Sequence, residues 1–177
     1  MPSTAALSAA PTSAVTDLNG RAVDPFAAND KRATVLLFIT NDCPIANSYA
    51  PEIQRICGEY AAKGISCTLV YSDLTLDAAA IRKHHDEYSY PAAIPAVRDD
   101  GHRLADVTGA KITPEAVVAG KGGKVLYRGR IDNFYAALGK PRRMATEHDL
   151  RQALDELLAG KPITHPQTQA VGCYIPR

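Results

Sequence analysis

The residues most able to do chemistry in this 177-residue chain are its four cysteines, and Cys43 has the most informative neighbours. It follows the apolar run at residues 34–39 and comes just before a helical pattern that starts at Pro44. A cysteine between a strand and a helix lies at the helix N-terminus, where free backbone N–H groups and the helix dipole favour the thiolate. Because a thiolate is a nucleophile, this placement predicts thiol redox chemistry. The alternative is a buried and unreactive cysteine at the end of a core strand.

The segment after Cys43 has the pattern of one helix with a kink. Apolar side chains recur at helical spacing, at Ile45, Tyr49, Ile53, Ile56 and Tyr60. Pro51 lies inside this pattern, where a proline removes a hydrogen bond and bends the helix. Pro44 suits the first turn, because its missing N–H would have no helical partner there. We expect a kinked helix from Pro44 to about Lys63, stopped by Gly64.

Predicted strands and helices alternate along the chain, which is typical of an α/β fold. Strands are expected at residues 34–39, 65–71, 94–98, 115–118 and 124–127, and helices at 44–63, 74–88, 103–107 and 147–158. Asp73 is the expected N-cap of the helix at 74–88. A leading hairpin within residues 15–27 is expected around Asn19-Gly20, a favoured turn dipeptide.

One domain accounts for most of the chain, with a short segment on either side. Residues 1–13 are small and polar and are expected to be disordered; residues 14–160 form the domain and 161–177 a C-terminal tail. No stretch approaches the ~20 apolar residues of a membrane span. The net charge is only +1 and the basic cluster at 140–143 is short, so no nucleic-acid binding is expected. Cysteines without a dense pattern predict a cytoplasmic protein, or an exported one if a signal segment has been removed.

Two segments resemble the active site of thioredoxin-like proteins. In that superfamily the catalytic cysteine opens a helix that an Ala-Pro pair kinks, as Cys43 and Pro51 do here. The superfamily also places a cis-proline just before a strand, with its backbone facing the catalytic cysteine. Thr113-Pro114 matches that position, and X-Pro is the one kind of bond in which cis costs little.

The closer resemblance is to the redoxin branch of the superfamily, the alkyl hydroperoxide reductase/thiol-specific antioxidant-like proteins. It covers roughly residues 14–160, with Thr-Pro-Glu at 113–115 as a specific part and Tyr-Arg-Gly-Arg-Ile-Asp at 127–132 in support. The resemblance implies a thioredoxin-like fold with a central mixed sheet flanked by helices on both faces. It also implies an enzyme, a thiol oxidoreductase with peroxidase-like and antioxidant chemistry that needs no cofactor.

The resemblance also assigns roles to individual residues. Cys43 is the expected nucleophile, which attacks a small-molecule peroxide or a protein disulfide, and an external thiol reductant restores it. Thr40 is expected to hydrogen-bond the thiolate, and the backbone beside Pro114 to position the substrate. The expected substrate-binding residues are Pro44, Thr113 and Arg130. A homodimer is a possible assembly.

Several departures from the related families limit this expectation. Ala46 stands where thioredoxin has its second cysteine, so no Cys-x-x-Cys disulfide can form, and Leu37 replaces its buried acid. Leu36 stands in place of a proline of peroxiredoxins, and Pro114 stands about where they hold an arginine against the thiolate. Asp42 adjoins the thiol, and a neighbouring carboxylate disfavours the thiolate. A fast peroxidase is therefore not expected, whereas slow peroxide reduction is compatible with the sequence.

The other three cysteines have different expected roles. Cys57 lies ~21 Å along the helix from Cys43, and Cys67 lies in a predicted strand, so core packing is expected for both. Cys173 lies in the tail, some thirteen residues after the last helix, a length that can extend ~40 Å. It can therefore reach Cys43. Either Cys173 resolves the oxidised Cys43, or it is a passive or intermolecular thiol.

Two other functional classes are alternatives to the redox enzyme. Copper-delivery proteins share this fold and use Cys-x-x-x-Cys with a distant histidine, but Asn47 occupies the second cysteine position here. His84 and His85 lie on another predicted helix, so no metal is expected and all five histidines are expected at the surface. The rival class is a redox-inactive binding module, in which an extended partner pairs with the backbone beside Pro114.

Overall fold

The computed structural model describes residues 13–27 and 30–177, so the expected disorder of residues 1–12 lies outside the described residues. The helices are α1 (Pro44–Ser48), α2 (Ala50–Ala61), α3 (Ala78–Glu87), α4 (Arg103–Thr108) and α5 (Asp149–Leu158). The strands, β1 to β11 in chain order, are Val15–Asp17, Ala22–Val23, Ala33–Ile39, Ile65–Tyr71, Ala96–Arg98, Ile112–Thr113, Glu115–Ala119, Val125–Gly129, Tyr135–Ala137, Lys140–Pro141 and Cys173–Tyr174.

Seven strands form one mixed sheet in the order β2-β1-β5-β4-β3-β7-β8. Inside it, β3 runs parallel to β4 and antiparallel to β7. Every residue of β3 is buried, and alternate residues face opposite sides of the sheet. Val35 and Leu37 therefore pack in one core cluster, and Leu36 and Phe38 in the other. This is the α/β fold with a central mixed sheet that the sequence predicts.

Helices cover both faces of the sheet, which explains why β3 is buried along its whole length and is mostly apolar. On one face α2, α3 and α5 contribute Ile53, Ile81 and Leu154 to the core. On the other face α4 contributes Leu104 and Ala105. Within residues 13–27 and 30–177, no helix is long and apolar enough to cross a membrane.

The helix after the central strand β3 is kinked, as predicted. Its two parts, α1 and α2, meet at Tyr49, which keeps right-handed helical angles (φ −83°, ψ −7°). The Tyr49 carbonyl accepts a hydrogen bond from the Ile53 N–H at 2.9 Å, so the chain bends there without leaving the helix. The bend follows from Pro51, which has no N–H to continue the helical hydrogen bonds.

Some predicted boundaries differ from the structure. Helix α3 begins at Ala78 with Asp77 as its N-cap, about one turn later than expected. Asp73, the predicted cap, instead accepts hydrogen bonds from the N–H and the hydroxyl of Thr75, and so closes a separate turn. Helix α5 begins at Asp149, two residues after the predicted start. The predicted leading hairpin is present as β1–β2, and the predicted strands near residues 115–118 and 124–127 pair antiparallel as β7 and β8.

The tail at residues 161–177 lies along the domain. It first runs beside β8, where the Thr168 N–H donates to the Arg128 carbonyl at 3.1 Å and the Arg128 N–H donates to the Pro166 carbonyl at 3.0 Å. It then forms β11, which pairs antiparallel with β6. Near its end, Ile175 is buried within the core cluster that includes α4. The tail thus adds a strand at the edge where β6 approaches the end of β3.

Candidate active site

Cys43 is the N-cap residue of α1. Its extended backbone (φ −87°, ψ 108°) is typical of a cap, and its Sγ accepts a hydrogen bond from the Ala46 N–H at 3.5 Å. Pro44 occupies the first turn and is exposed. The Cys43 side chain is itself fully buried, at 0% exposure. The structure therefore places the thiol at the helix N-terminus, as the sequence predicts. Another segment of the chain lies over it and shields it from solvent.

The strand β6 runs directly past this thiol. Its carbonyl at Thr113 lies 3.2 Å from Cys43 Sγ, within reach of the thiol proton. The following Thr113–Pro114 peptide bond is cis, as predicted. Cys43 and the backbone at Thr113 are thus in contact, although 70 residues separate them in the chain.

The cover over Cys43 is the tail. In the β6–β11 pair Cys173 lies opposite Thr113 in register. Its Sγ donates toward Cys43 Sγ across 2.6 Å, compared with ~2.05 Å in a disulfide bond. The sequence left open whether Cys173 meets Cys43, and the structure brings the two free thiols together.

The tail approaches β6 most closely at Gly172. A Cβ at this position would lie 2.0 Å from the Thr113 carbonyl oxygen, so any side chain would push the tail outward. Val171 and Pro114 border the space left beside the cis-proline, which is a cavity of about 10 Å³. Such a cavity holds one water at most. The position where the rival interpretation placed an extended partner is therefore filled by the chain's own tail.

Two anchors hold the tail on either side of Cys173. Before it, the Thr168 hydroxyl lies 2.7 Å from the Tyr127 hydroxyl, deep against β8. After it, the Ile175 N–H donates to the Lys111 carbonyl at 2.9 Å, and the Ile175 side chain is buried. Cys173 is thus held over Cys43 by a short segment with a fixed point at each end.

The electrostatics of the pair separate the roles of its two sulfurs. Burial, followed by the hydrogen bond to Cys43 and the negative charges of Cys43 and Asp42, raises the pKa of the Cys173 thiol to about 12. At neutral pH Cys173 is therefore protonated, and its S–H donates to Cys43 Sγ. A thiol that stays protonated is a poor nucleophile, so Cys43, which lies at the helix N-terminus, is the candidate nucleophile.

The expected role of Thr40 needs correction. Within the part of the chain that the structure describes, the hydrogen-bond partners of Cys43 Sγ are Ala46, Thr113 and Cys173. The Thr40 hydroxyl instead donates to the Asp42 carboxylate at 3.2 Å. A carboxylate is a strong hydrogen-bond acceptor, and the Asp42 carboxylate, two residues along the chain, takes this hydroxyl.

The expected binding of substrate by Arg130 stays a prediction, and the structure shows which groups its side chain contacts. Its guanidinium donates to the Asp149 carboxylate at 2.7 and 3.2 Å and also pairs with Glu147, both at the start of α5. Two carboxylates therefore balance the positive charge of Arg130. Arg130 borders the small cavity beside Pro114, but its charged end serves to join β8 to α5.

The histidines also differ from expectation, because two of the five are buried. His84 is 3% exposed and His102 is 8% exposed, whereas all were predicted at the surface. His84 lies between the Tyr71 hydroxyl and the Asn47 amide, and burial lowers its pKa. Its position three residues after the buried Ile81 is a sequence signal that could have shown this. Among the described residues, no cluster of three or more His, Cys, Asp and Glu side chains could hold a metal.

A disulfide between Cys57 and Cys67 was not predicted. It joins α2 to β4, with the two Cα atoms 5.8 Å apart. Both residues are buried as expected. Their inward-facing positions, four residues after Ile53 and two after Ile65, are visible in the sequence, but the packing of α2 on β4 that brings them together is not.

The chain matches one known family over most of its length. The pattern of the AhpC/TSA family matches residues 7–128, and with the thioredoxin-like fold this defines the class as a thiol redox protein. The chain belongs to the AhpC/TSA family. No curated protein matches the chain.

Solved structures share the fold. A conserved protein from Geobacillus kaustophilus is 28% identical with a TM-score of 0.79, covering 93% of this chain and 87% of that one. A hypothetical protein from Sinorhizobium meliloti is 23% identical with a TM-score of 0.77, covering 92% and 88%. A thioredoxin-like protein from Aeropyrum pernix is 19% identical with a TM-score of 0.57, covering 67% and 80%. These likenesses show that the fold is shared, and the AhpC/TSA match over residues 7–128 places the chain in the redoxin branch of the thioredoxin-like superfamily.

Proposed function

We propose that the protein is a two-cysteine thiol oxidoreductase in which Cys43 reacts with an oxidised substrate and Cys173 resolves the product. The observation that carries this proposal is the 2.6 Å separation of the two free sulfurs. A resolving thiol must be able to reach the oxidised sulfur, and here the tail already holds it in contact. The missing second cysteine of a Cys-x-x-Cys motif, at Ala46, is thereby replaced from the other end of the chain.

The substrate is a peroxide or a disulfide. With a peroxide, the Cys43 thiolate attacks one oxygen, the O–O bond breaks, and Cys43 becomes a sulfenic acid as water or an alcohol leaves. With a disulfide, Cys43 attacks one sulfur, the S–S bond breaks, and a thiolate leaves from a mixed disulfide. In either case Cys173 Sγ then attacks Cys43 Sγ and its proton goes to the departing hydroxide or thiolate. The product is a Cys43–Cys173 disulfide, which an external dithiol reduces.

Access to Cys43 requires the tail to move, because Cys43 is fully buried beneath it. The covering strand β11 has only two residues, and Tyr174 within it is 80% exposed, so the Tyr174 side chain adds little to the anchors at Thr168 and Ile175. Displacing a segment of this size is less costly than opening the core. The tail thus acts both as a cover for Cys43 and as the carrier of the resolving thiol.

The test is to map cysteine oxidation after limited treatment. Reduced protein receives one equivalent of hydrogen peroxide or of an oxidised dithiol, free thiols are alkylated, and the digest is analysed by mass spectrometry. The proposal expects a peptide in which Cys43 is linked to Cys173. Finding only sulfenic or sulfinic Cys43 would eliminate Cys173 as the resolving thiol. If neither reagent modifies Cys43, the redox-inactive binding module becomes the better explanation.

We also propose that the protein works in an oxidising compartment. The cytoplasmic expectation rested on cysteines without a dense pattern, but the buried Cys57–Cys67 disulfide supports the exported alternative. Such bonds persist outside the reducing cytosol. The redox state of Cys57 and Cys67 in protein taken from cells and alkylated at once is the deciding measurement. Free thiols at both positions would favour the cytoplasm.

A further inference from the structure

The side chain of Asn47 links the residues on the two sides of Cys43. Its backbone N–H donates to the Cys43 carbonyl at 2.9 Å, as in any first helical turn. Its side-chain Nδ2 donates to the Asn41 carbonyl, also at 2.9 Å. The second bond closes the turn at residues 41–43 onto α1, and the conformation of that turn sets where Cys43 Sγ lies.

A buried histidine fixes the orientation of this amide. His84, on α3, places its Nε2 2.8 Å from Asn47 Oδ1. Its Nδ1 lies 2.7 Å from the Tyr71 hydroxyl at the end of β4. Both His84 and Tyr71 are almost fully buried, at 3% and 1% exposure. A continuous series of hydrogen bonds thus runs from the end of β4, through α3, to the turn that carries the nucleophile.

The direction of each hydrogen bond follows from the chemistry of the groups. The Asn41 carbonyl can only accept, so Asn47 must turn its NH₂ toward it and its Oδ1 toward His84. His84 Nε2 must then carry a hydrogen and donate. In the neutral imidazole Nδ1 is left as an acceptor, and the Tyr71 hydroxyl supplies its donor. Every polar atom in the series has a partner of the required kind.

We propose that Asn47 and His84 are positioning residues for Cys43: the Asn47 amide, oriented by His84, holds the Cys43 turn so that Sγ faces the Ala46 N–H and Cys173. The inference rests on the proposed function, because the position of Sγ affects the reaction only if Cys43 is the nucleophile. Alanine is a better helix former than asparagine, so Asn47 gives up some helix stability for the two hydrogen bonds that its side chain makes. A polar side chain that costs helix stability fits a positioning role.

The test measures the reactivity of Cys43 itself. In a Cys173→Ser background the Cys57–Cys67 disulfide leaves Cys43 as the single free thiol, and its alkylation by iodoacetamide is followed from pH 5 to 10. Asn47→Ala is expected to lower the rate at pH 7 about threefold and to move the profile to higher pH, because the helix N–H is no longer aimed at the sulfur. His84→Leu is expected to act in the same direction. His84→Gln keeps a donor and an acceptor and is expected to restore most of the rate.

The matched control is His102→Asn. His102 is also buried, but it caps α4 on the opposite face of the sheet, and its left-handed backbone (φ 57°) suits asparagine. This variant is expected to leave the alkylation profile unchanged. The proposal is overturned if Asn47→Ala alkylates at the parent rate, or if His84→Gln loses as much rate as His84→Leu. If His84→Leu does not fold, Asn47→Ala and His84→Gln decide. Alkylation does not require a Cys43–Cys173 bond. Failure of this inference can therefore be distinguished from failure of the proposed function, which the oxidation mapping tests.

Discussion

The two cysteine pairs of this protein differ in how they are held. Cys57 and Cys67 are 10 residues apart, join two packed elements of the core and form a disulfide. Cys43 and Cys173 are 130 residues apart, are both free, and meet where a helix begins and a tail strand crosses it. The first pair cannot separate without disturbing α2 and β4, whereas the second separates when a two-residue strand moves.

Under the proposed function, this difference assigns stability to one pair and reactivity to the other. A bond buried between a helix and a sheet is protected from thiols and lowers the entropy of the unfolded chain. A contact at a helix N-terminus, covered by a segment that can move, is suited to repeated oxidation and reduction. The surroundings of the sulfurs, not their separation in the chain, distinguish the two pairs.

The largest effect is expected from removing the nucleophile. Cys43→Ser should reduce consumption of peroxide or disulfide to background, a loss on the order of 1,000-fold, because a serine hydroxyl is not ionised at neutral pH. The double variant Cys57→Ser/Cys67→Ser should keep most of the parent rate. The measurement is oxidant consumption at pH 7 with an excess of dithiol. If the double variant folds but loses as much activity as Cys43→Ser, Cys43 and Cys173 are not the only reactive pair and the assignment of reactivity is wrong.

The next effect concerns the stability of the fold. Here the larger effect is expected from removing Cys57 and Cys67, not Cys43 and Cys173. Removing the Cys57–Cys67 disulfide should lower the free energy of unfolding by about 2–3 kcal/mol, as expected for a loop closed over 10 residues. Urea denaturation of the Cys57→Ser/Cys67→Ser variant measures it. The control is Cys43→Ser/Cys173→Ser, compared with the parent whose Cys43 and Cys173 are free, for which a change below about 1 kcal/mol is expected. Equal losses in the two double variants would contradict the assignment.

The fold and the nucleophile could be predicted from the sequence because both depend on local patterns. The apolar run of β3, the cysteine after it and Pro51 within a helical period identify the first half of the site. The cis bond before Pro114 was predicted by resemblance. These features need no knowledge of which distant segments meet.

The remaining parts of the site depend on contacts between distant segments. The pairing of the tail with β6 involves residues that are about 60 positions apart and has no repeated pattern in the sequence. The hydrogen bond from Thr40 to Asp42 and the ion pairs of Arg130 reflect competition among nearby acceptors, which spacing does not determine. Burial of His84 depends on how α3 packs against β4. Each of these required three-dimensional information.

A smaller effect is expected from displacing the tail without removing either sulfur. Gly172→Ala places a Cβ 2.0 Å from the Thr113 carbonyl oxygen, so β11 must move outward and Cys173 with it. Formation of the Cys43–Cys173 disulfide should slow about tenfold, because it depends on proximity. Samples are quenched by alkylation at successive times after the oxidant is added, and mass spectrometry then gives the rate of disulfide formation.

Gly58→Ala is the matched control for the tail variant. Gly58 lies in α2, close in sequence to the disulfide, and a Cβ there has no atom within 4 Å. The change should leave the rate of disulfide formation unaltered and favour the helix slightly. If Gly172→Ala forms the bond as fast as Gly58→Ala, close approach of β11 to β6 is not what brings the two sulfurs together.

The smallest expected effect separates the two regions by their response to pH. Burial lowers the pKa of His84 below its ordinary value of 6.5, so the unfolded chain binds a proton that the folded chain does not. The stability from His84 is therefore fully present above about pH 6.5 and is lost as pH falls toward the lower folded value. His84→Gln should flatten this acid limb by up to ~1.4 kcal/mol per pH unit. Cys57→Ser/Cys67→Ser should lower the stability equally at all pH values, because neither the disulfide nor serine titrates. The free energy of unfolding below pH 6.5 is compared in the two variants. If its loss on acidification is unchanged in His84→Gln and altered in the double variant, the pH dependence arises around the disulfide instead of around His84 and Cys43.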